Sequence, residues 1–144
     1  MFFVCYDTDM RLLGIDYGAK RIGIALSDTE QRLAFPHDTL INDKQTIDKI
    51  VEVCGVNACG GVVMGDSKDF NQEENPIMEE ARAFAVALEE RTKLPVYFEQ
   101  EFMTTIEARK SQEKKGEAVD ASAAALILQS YLDRQGNISP WIRK

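Results

Sequence analysis

The sequence predicts an α/β protein with a mixed five-stranded sheet, three antiparallel strands first and parallel strands after them, flanked by helices. Two observations support this fold class. Apolar runs at 12–16 and 21–27 are joined by a four-residue link, which is short enough for an antiparallel hairpin. From residue 43 onward, helix-like and strand-like segments alternate, an order typical of parallel strands with connecting helices.

The remaining elements can be assigned in chain order. Residues 31–40 predict a third strand, which Pro36 either confines to an edge or interrupts, because proline cannot donate a ladder hydrogen bond. Gly23, inside the second strand, predicts a bulge or the close approach of another backbone. The later elements are a helix over 43–54, a buried strand over 59–65, a helix opened by Asn75-Pro76, a strand over 94–99, a helix opened by Thr104 with Glu107, and a last helix over 118–134.

The chain of 144 residues is long enough for one domain with a substantial core. We assign 10–135 to this single domain and 136–144 to a C-terminal tail. Residues 1–9 carry no clear structural signal and are assigned to an N-terminal extension. Because Met10 directly precedes the first strand, we expect translation to begin there.

Composition disfavours several classes of protein. No apolar stretch reaches the ~18 residues of a membrane span, and the apolar start lacks the basic flank of a signal peptide. The three cysteines form no Cys-x-x-Cys pair and are expected to be reduced thiols in the core. A single histidine, His37, makes a Cys/His zinc site or a serine–histidine triad a poor fit. The formal net charge of −7 disfavours nonspecific binding of nucleic acid.

Three carboxylates stand where they could converge. Asp16 ends the first apolar run, and a buried carboxylate there is costly unless it is paired or bound to metal. Asp120 lies in the first turn of the last helix, a position that a helix cap also explains. Glu101 follows the 94–99 strand, and Glu99 competes with it because alternation puts both on one side. Carboxylate oxygens of this kind suit Mg²⁺ or Mn²⁺. A pair of such ions in one site can support the hydrolysis of a phosphodiester.

Three motifs resemble those of the YqgF/RuvX family in order and spacing: GIDYGAKRIGIALSD, FMTTIEA and VDASAAALILQSYLD. Members of this family are named as Holliday junction resolvases and pre-16S rRNA nucleases, and the resemblance spans 11–133. It implies a ribonuclease H-like fold, a cytoplasmic location and metal-dependent hydrolysis of phosphodiesters. It also implies that Asp16, Glu101 and Asp120 are the catalytic, metal-binding acidic triad.

The resemblance further implies the substrate. We expect an endonuclease that uses Mg²⁺ or Mn²⁺ to process the 5′ end of pre-16S rRNA, with branched Holliday-junction DNA as the second candidate. Resolving a four-way junction requires two active sites, so a homodimer is expected for that substrate. A locally basic rim would offset the negative net charge. The residues expected to contact nucleic acid are Lys20, Arg21, Thr104, Thr105, Lys114 and Lys115.

The sequence departs from the family pattern at two places. Gln100-Glu101-Phe102 stands where Asp-Glu-Arg is usual, so an arginine suited to gripping phosphate is missing. Gly65-Asp66-Ser67 stands where Gly-Leu-Pro is usual, which makes Asp66 a candidate fourth carboxylate. The missing arginine and the acidic composition favour an alternative, a non-catalytic ribonuclease H-like module that binds RNA or a partner. GIDYG also resembles the phosphate loop of actin-like ATPases and sugar kinases, but 144 residues leave no room for their second lobe.

Overall fold

The structure is a computed structural model, and it describes residues 10–66, 77–100 and 118–142. The predicted helix opened by Thr104 lies outside these ranges. The described elements, in chain order, are β1 (Arg11–Asp16), β2 (Arg21–Ser27), β3 (Ala34–Ile41), α1 (Thr46–Val56), β4 (Cys59–Asp66), α2 (Ile77–Thr92), β5 (Val96–Gln100) and α3 (Ala118–Ile142).

The described strands form one sheet in the order β3-β2-β1-β4-β5. Strands β1, β2 and β3 pair antiparallel, whereas β4 pairs parallel with both β1 and β5. The predicted mixed sheet, with three antiparallel strands first and parallel strands after them, is therefore confirmed. The first described strand, β1, occupies the centre of the sheet.

Edge strand β3 contains Pro36, as predicted. The register between β2 and β3 shifts after Ile24, because His37 of β3 is left without a paired residue. The bulge therefore lies in β3 beside Pro36, whose missing N–H interrupts the ladder there, and the bulge predicted at Gly23 is wrong because Gly23 pairs in register with Thr39. Gly23 also pairs in register with Asp16.

Helices cover both faces of the sheet. Ile15 of β1 packs on one face in a cluster with Ile50 of α1 and Leu88 of α2. Leu12 of β1 packs on the opposite face with Leu128 of α3. Because side chains alternate along a strand, Asp16 belongs to the face that α3 covers. The side chains that lie near the Asp16 carboxylate on this face therefore include those of α3.

Helix α1 begins at Thr46, later than the predicted start at 43. Asp43 lies instead in a turn, where its Oδ1 accepts a hydrogen bond from the backbone N–H of Gln45 (2.9 Å). The Thr46 hydroxyl accepts a hydrogen bond from the Asp43 N–H and donates one to the Ile41 carbonyl (both 2.8 Å). These local side-chain bonds satisfy the backbone outside a helix, which explains the later start.

Helix α3 extends to Ile142, beyond the predicted end at residue 134. That prediction depended on Gly136 and Pro140, two residue types that are unfavourable inside helices. The helix nonetheless continues through both residues. Pro140 lacks the N–H that would bond to the Gly136 carbonyl, so the helix loses one hydrogen bond there without ending. The segment expected to be a loose tail is therefore helical as far as Ile142.

Two predictions from the composition concern the cysteines and the membrane. Cys54 and Cys59 are buried free thiols in the cluster on the α1 and α2 side, as predicted, whereas Cys5 lies outside the described residues. In the part of the chain that the structure describes, no helix is both long enough and apolar enough to cross a bilayer.

Candidate active site at the end of the central strand

Asp16 is the last residue of β1 and is only 6% exposed. The parallel strands β1, β4 and β5 point in the same direction, so their carboxyl ends meet at one edge of the sheet. Ligands in α/β proteins bind outside this edge. The predicted catalytic acid therefore ends the central strand at the place where the fold favours a site.

Asp16 lies between two glycines. Gly23 of β2 is its paired residue on one side. On the other side Ile15 pairs with Met64, so the next residue of β4, Gly65, follows beside Asp16. Neither neighbour carries a side chain that would fill the space next to the carboxylate. We call the position of Asp16 between these two glycines the glycine cradle. A carboxylate is the type of ligand that Mg²⁺ and Mn²⁺ prefer, so the chemistry of Asp16 suits a divalent cation.

The helix that carries Asp120 lies very close to β1. A Cβ on Gly14 would be 2.9 Å from the carbonyl oxygen of Ala124 and 2.8 Å from the Cβ of Leu128. Ala124 is one helical turn after Asp120, and Gly14 is two residues before Asp16. The backbones of both acids therefore lie within roughly 6–7 Å of one contact between β1 and α3. The side chain of Asp120 is outside the described part of the structure.

The structure describes the other predicted site residues only in part. Lys20 and Arg21 are exposed in the hairpin that follows Asp16, and the Lys20 carbonyl accepts a hydrogen bond from Asn42 N (2.9 Å). Asp66 is the last residue of β4, at the same sheet edge, and its side chain is not described. Outside the described residues lie Glu101, Thr104, Thr105, Lys114 and Lys115. Among the residues of 10–66, 77–100 and 118–142 whose positions are described, no three His, Cys, Asp or Glu side chains form a metal-binding group.

The sequence left Glu99 and Glu101 as competitors, and the structure gives Glu99 a defined partner set. Glu99 is 1% exposed and faces α3. Its Oε2 accepts a hydrogen bond from the Ser130 hydroxyl (2.7 Å), and its Oε1 accepts one from Arg134 Nη2 (2.6 Å). Ser130 and Arg134 are four residues apart and so lie on one face of the helix. Glu99 is therefore a buried, ion-paired carboxylate that joins the end of β5 to α3.

Sequence reasoning missed this cluster, although a signal was present. In the strand VYFEQ, alternation places Glu99 on the same side as Tyr97, and that side is covered by α3. The Tyr97 ring stacks on Tyr131 of α3 with 5.7 Å between ring centroids. Burial, with the neighbouring Tyr97 and Glu99, raises the pKa of Tyr131 above its usual value, while Arg134 opposes the shift. A charged residue at a position predicted to be buried indicates a partner on the facing helix.

A family model described as "RuvX: Holliday junction resolvase" matches residues 10–134. The chain belongs to the RuvX family. This match covers every described strand and the residues of all three motifs found in the sequence. The resemblance proposed from those motifs is thereby confirmed, and the actin-like ATPase alternative is not supported.

Curated relatives agree with this assignment. A protein of Ligilactobacillus salivarius (strain UCC118) named "Putative pre-16S rRNA nuclease" is 34% identical over 140 residues, covering 89% of this chain and 95% of its own. A relative of the same name from Pelotomaculum thermopropionicum is 37% identical over 137 residues, covering 88% of this chain and 89% of its own. The chain therefore matches proteins named as nucleases over 88–89% of its length.

Solved structures confirm the fold. Thermus thermophilus RuvC in complex with a Holliday junction substrate matches with a TM-score of 0.57 and 16% identity, over 88% of this chain and 96% of that chain. The fowlpox virus resolvase in complex with Holliday junction DNA matches with a TM-score of 0.56 and 12% identity, over 88% and 99%. At this identity the likeness establishes a shared fold, the ribonuclease H-like fold that the motifs implied.

Proposed function

We propose that this RuvX chain is a metal-dependent endonuclease that hydrolyses phosphodiester bonds in structured nucleic acid. The carrying observation is the position of Asp16, a nearly buried carboxylate at the end of the central strand with a glycine on each side. The substrate we favour is the 5′ end of pre-16S rRNA, with Holliday-junction DNA as the second candidate, and the site of action is the cytoplasm. On junction DNA the active unit would be a homodimer.

Asp16, Glu101 and Asp120 would hold the Mg²⁺ or Mn²⁺ ions of this enzyme. When bound, such a pair of ions activates a water and stabilises the leaving oxygen of a phosphodiester. The contribution of the chain is to fix the ligands: β1 ends at Asp16, and close contact between Gly14 and α3 holds the helix that begins near Asp120. Glu101 follows directly after β5, which Glu99 fastens to the same helix.

Phosphate contacts would come from the residues around this edge. Lys20 and Arg21 are exposed in the hairpin immediately after Asp16, where a substrate strand would pass. Thr104, Thr105, Lys114 and Lys115 complete the proposed substrate-binding set. A local group of cations can bind phosphates although the net charge of the chain is −7.

The direct test is to incubate the purified full chain with two substrates, a 5′ fragment of pre-16S rRNA and a four-way DNA junction, and to measure cleavage of each. We expect specific cuts in the RNA with Mg²⁺ or Mn²⁺ and none with EDTA. If only the DNA junction were cleaved, junction DNA would replace the rRNA precursor as the favoured substrate. Tight binding of RNA without cleavage in any metal would instead assign the chain to the non-catalytic module.

Gly65→Val tests the glycine cradle. We expect at least about tenfold slower Mg²⁺-dependent cleavage, because the branched side chain would occupy the space beside Asp16, whereas valine suits the strand itself. Gly61→Ala is the control on the same strand, where the added Cβ would meet side-chain atoms of Leu12 and Tyr97 rather than Asp16. Cleavage rates and melting temperatures of both variants are needed. A folded Gly65→Val protein with the wild-type rate would contradict the cradle.

A further inference from the structure

The ion pair between Glu99 and Arg134 has an unequal exposure that suggests a second role. The Glu99 side chain is 2% exposed, whereas the Arg134 side chain is 57% exposed. One guanidinium nitrogen, Nη2, binds the carboxylate, and a guanidinium carries five N–H donors in a fixed fork. The pair therefore presents its positive end to solvent, on an arginine whose orientation is fixed by a buried acid.

This arginine lies on the same face of the sheet as the candidate catalytic acid. Gly65 follows beside Asp16 in β4 and pairs with Glu99 in β5. Asp16, Gly65 and Glu99 thus form one row across three adjacent strands, and the middle residue has no side chain. With about 4.8 Å between neighbouring strands, the backbones of Asp16 and Glu99 are roughly 10 Å apart.

An exposed aromatic ring accompanies the arginine. Tyr97 precedes Glu99 on the same face of β5, is 43% exposed and is supported from beneath by its stacking contact with Tyr131. Aromatic rings beside cations are the usual means by which proteins bind single-stranded nucleic acid, since every base has a face that can stack. We refer to Tyr97, Tyr131 and Arg134 together as the β5 surface.

We propose that the β5 surface binds the single-stranded segment that flanks the scissile phosphodiester, with Arg134 on a phosphate and Tyr97 against a base. This inference rests on the proposed nuclease function. It supplies a phosphate ligand on a chain that has Phe102 where the family pattern has an arginine. Glu99 is then a positioning residue, which orients Arg134 and is itself shielded from the substrate.

The test compares two variants that differ only in the arginine. Glu99→Gln keeps Arg134, and Glu99→Gln/Arg134→Gln removes it while leaving a neutral pair rather than a buried unpaired charge. The probe is a short fluorescent single-stranded oligoribonucleotide in EDTA, so that binding is measured without cleavage. We expect the double variant to bind several-fold more weakly than the wild type, with a log–log salt slope smaller by about 0.7, and Glu99→Gln to lie between them because it keeps the arginine but not the charge that orients it.

Arg91→Gln is the matched control. Arg91 also pairs with a carboxylate, that of Asp48, and its side chain is 55% exposed, but it lies on α2 on the opposite face of the sheet. The Arg91→Gln variant should bind the probe with the affinity of the wild type. Equal affinity and equal salt slope for the double variant and the wild type would overturn the proposal and restrict the pair to holding α3 on β5.

A second variant keeps the proposal testable if the double variant does not melt cooperatively. Tyr97→Leu preserves an apolar side chain over Tyr131 and should weaken binding of the probe at least about fivefold. Unchanged binding by folded Tyr97→Leu would overturn the proposal. Because these binding assays contain no metal, they do not depend on cleavage. A wild-type chain that binds the probe through this surface, yet cuts neither substrate when Mg²⁺ or Mn²⁺ is supplied, would reject the nuclease function separately.

Discussion

Asp16→Asn is expected to reduce Mg²⁺-dependent cleavage by at least about 10³-fold, which corresponds to roughly 4 kcal/mol of transition-state stabilisation. The amide keeps the size of the side chain but removes the charge that would hold a cation in the cradle between Gly23 and Gly65. Asp48→Asn is the control, because Asp48 is an exposed carboxylate on α1, on the other face of the sheet. It should cleave at the wild-type rate.

The same variant separates a metal ligand from a structural carboxylate. If Asp16, Glu101 and Asp120 converge, their like charges oppose folding in the absence of metal, so Asp16→Asn should be at least as stable as the wild type. Mg²⁺ should raise the melting temperature of the wild type, since only the folded state binds it, and should have little effect on the variant. Loss of about 1–3 kcal/mol in the variant, with no Mg²⁺ response in the wild type, would identify a hydrogen-bonded structural aspartate instead.

Gly14→Ala is expected to lower the free energy of unfolding by about 1–3 kcal/mol, because the added Cβ has no room. It would lie 2.8 Å from the Cβ of Leu128 and 2.9 Å from the Ala124 carbonyl oxygen, so the α3 backbone itself must move away from β1. Since α3 begins near Asp120, cleavage should fall as well. Urea unfolding and cleavage rates measure the two effects.

Gly55→Ala is the matched substitution with the opposite expected sign. Gly55 lies inside α1, and a Cβ there would have nothing within 4 Å. Alanine is the better helix former, so this variant should gain roughly 0.5–1 kcal/mol. If Gly14→Ala proved as stable as Gly55→Ala, the close contact between β1 and α3 would be wrong.

Local patterns predicted most of the fold. Alternation and apolar runs located all five described strands, and the missing N–H of Pro36 correctly confined β3 to an edge. The ends of the helices were less predictable, because side-chain hydrogen bonds there compete with the backbone hydrogen bonds of the helix. The Thr46 hydroxyl forms hydrogen bonds that delay the start of α1. Helix α3 continues through Gly136 and Pro140, so the low helix propensity of these two residue types placed its predicted end too early.

The sequence predicted individual residues of the candidate site, but not the contacts between residues that are far apart in the chain. Asp16 could be predicted because it is a carboxylate at the end of an apolar strand. Gly23 and Gly65 lie beside it only because of the register between strands, which no local sequence pattern predicts. In the same way, Glu99 and Arg134 are far apart in the chain and meet only because α3 crosses β5. The roles of Glu101 and Asp120 stay predictions, since neither side chain is among those described.

The most direct measurement of the central claim is a crystal structure of the full chain soaked in Mn²⁺, with anomalous diffraction used to locate the metal. Mn²⁺ takes oxygen ligands of the same kind as Mg²⁺, so it reports on the same site. The account predicts an anomalous peak at about 2.1 Å from a carboxylate oxygen of Asp16, a distance typical of Mg²⁺-type ligation, and no such peak in Asp16→Asn crystals. Crystals of Mn²⁺-active protein with ordered metal elsewhere and none at Asp16 would contradict it.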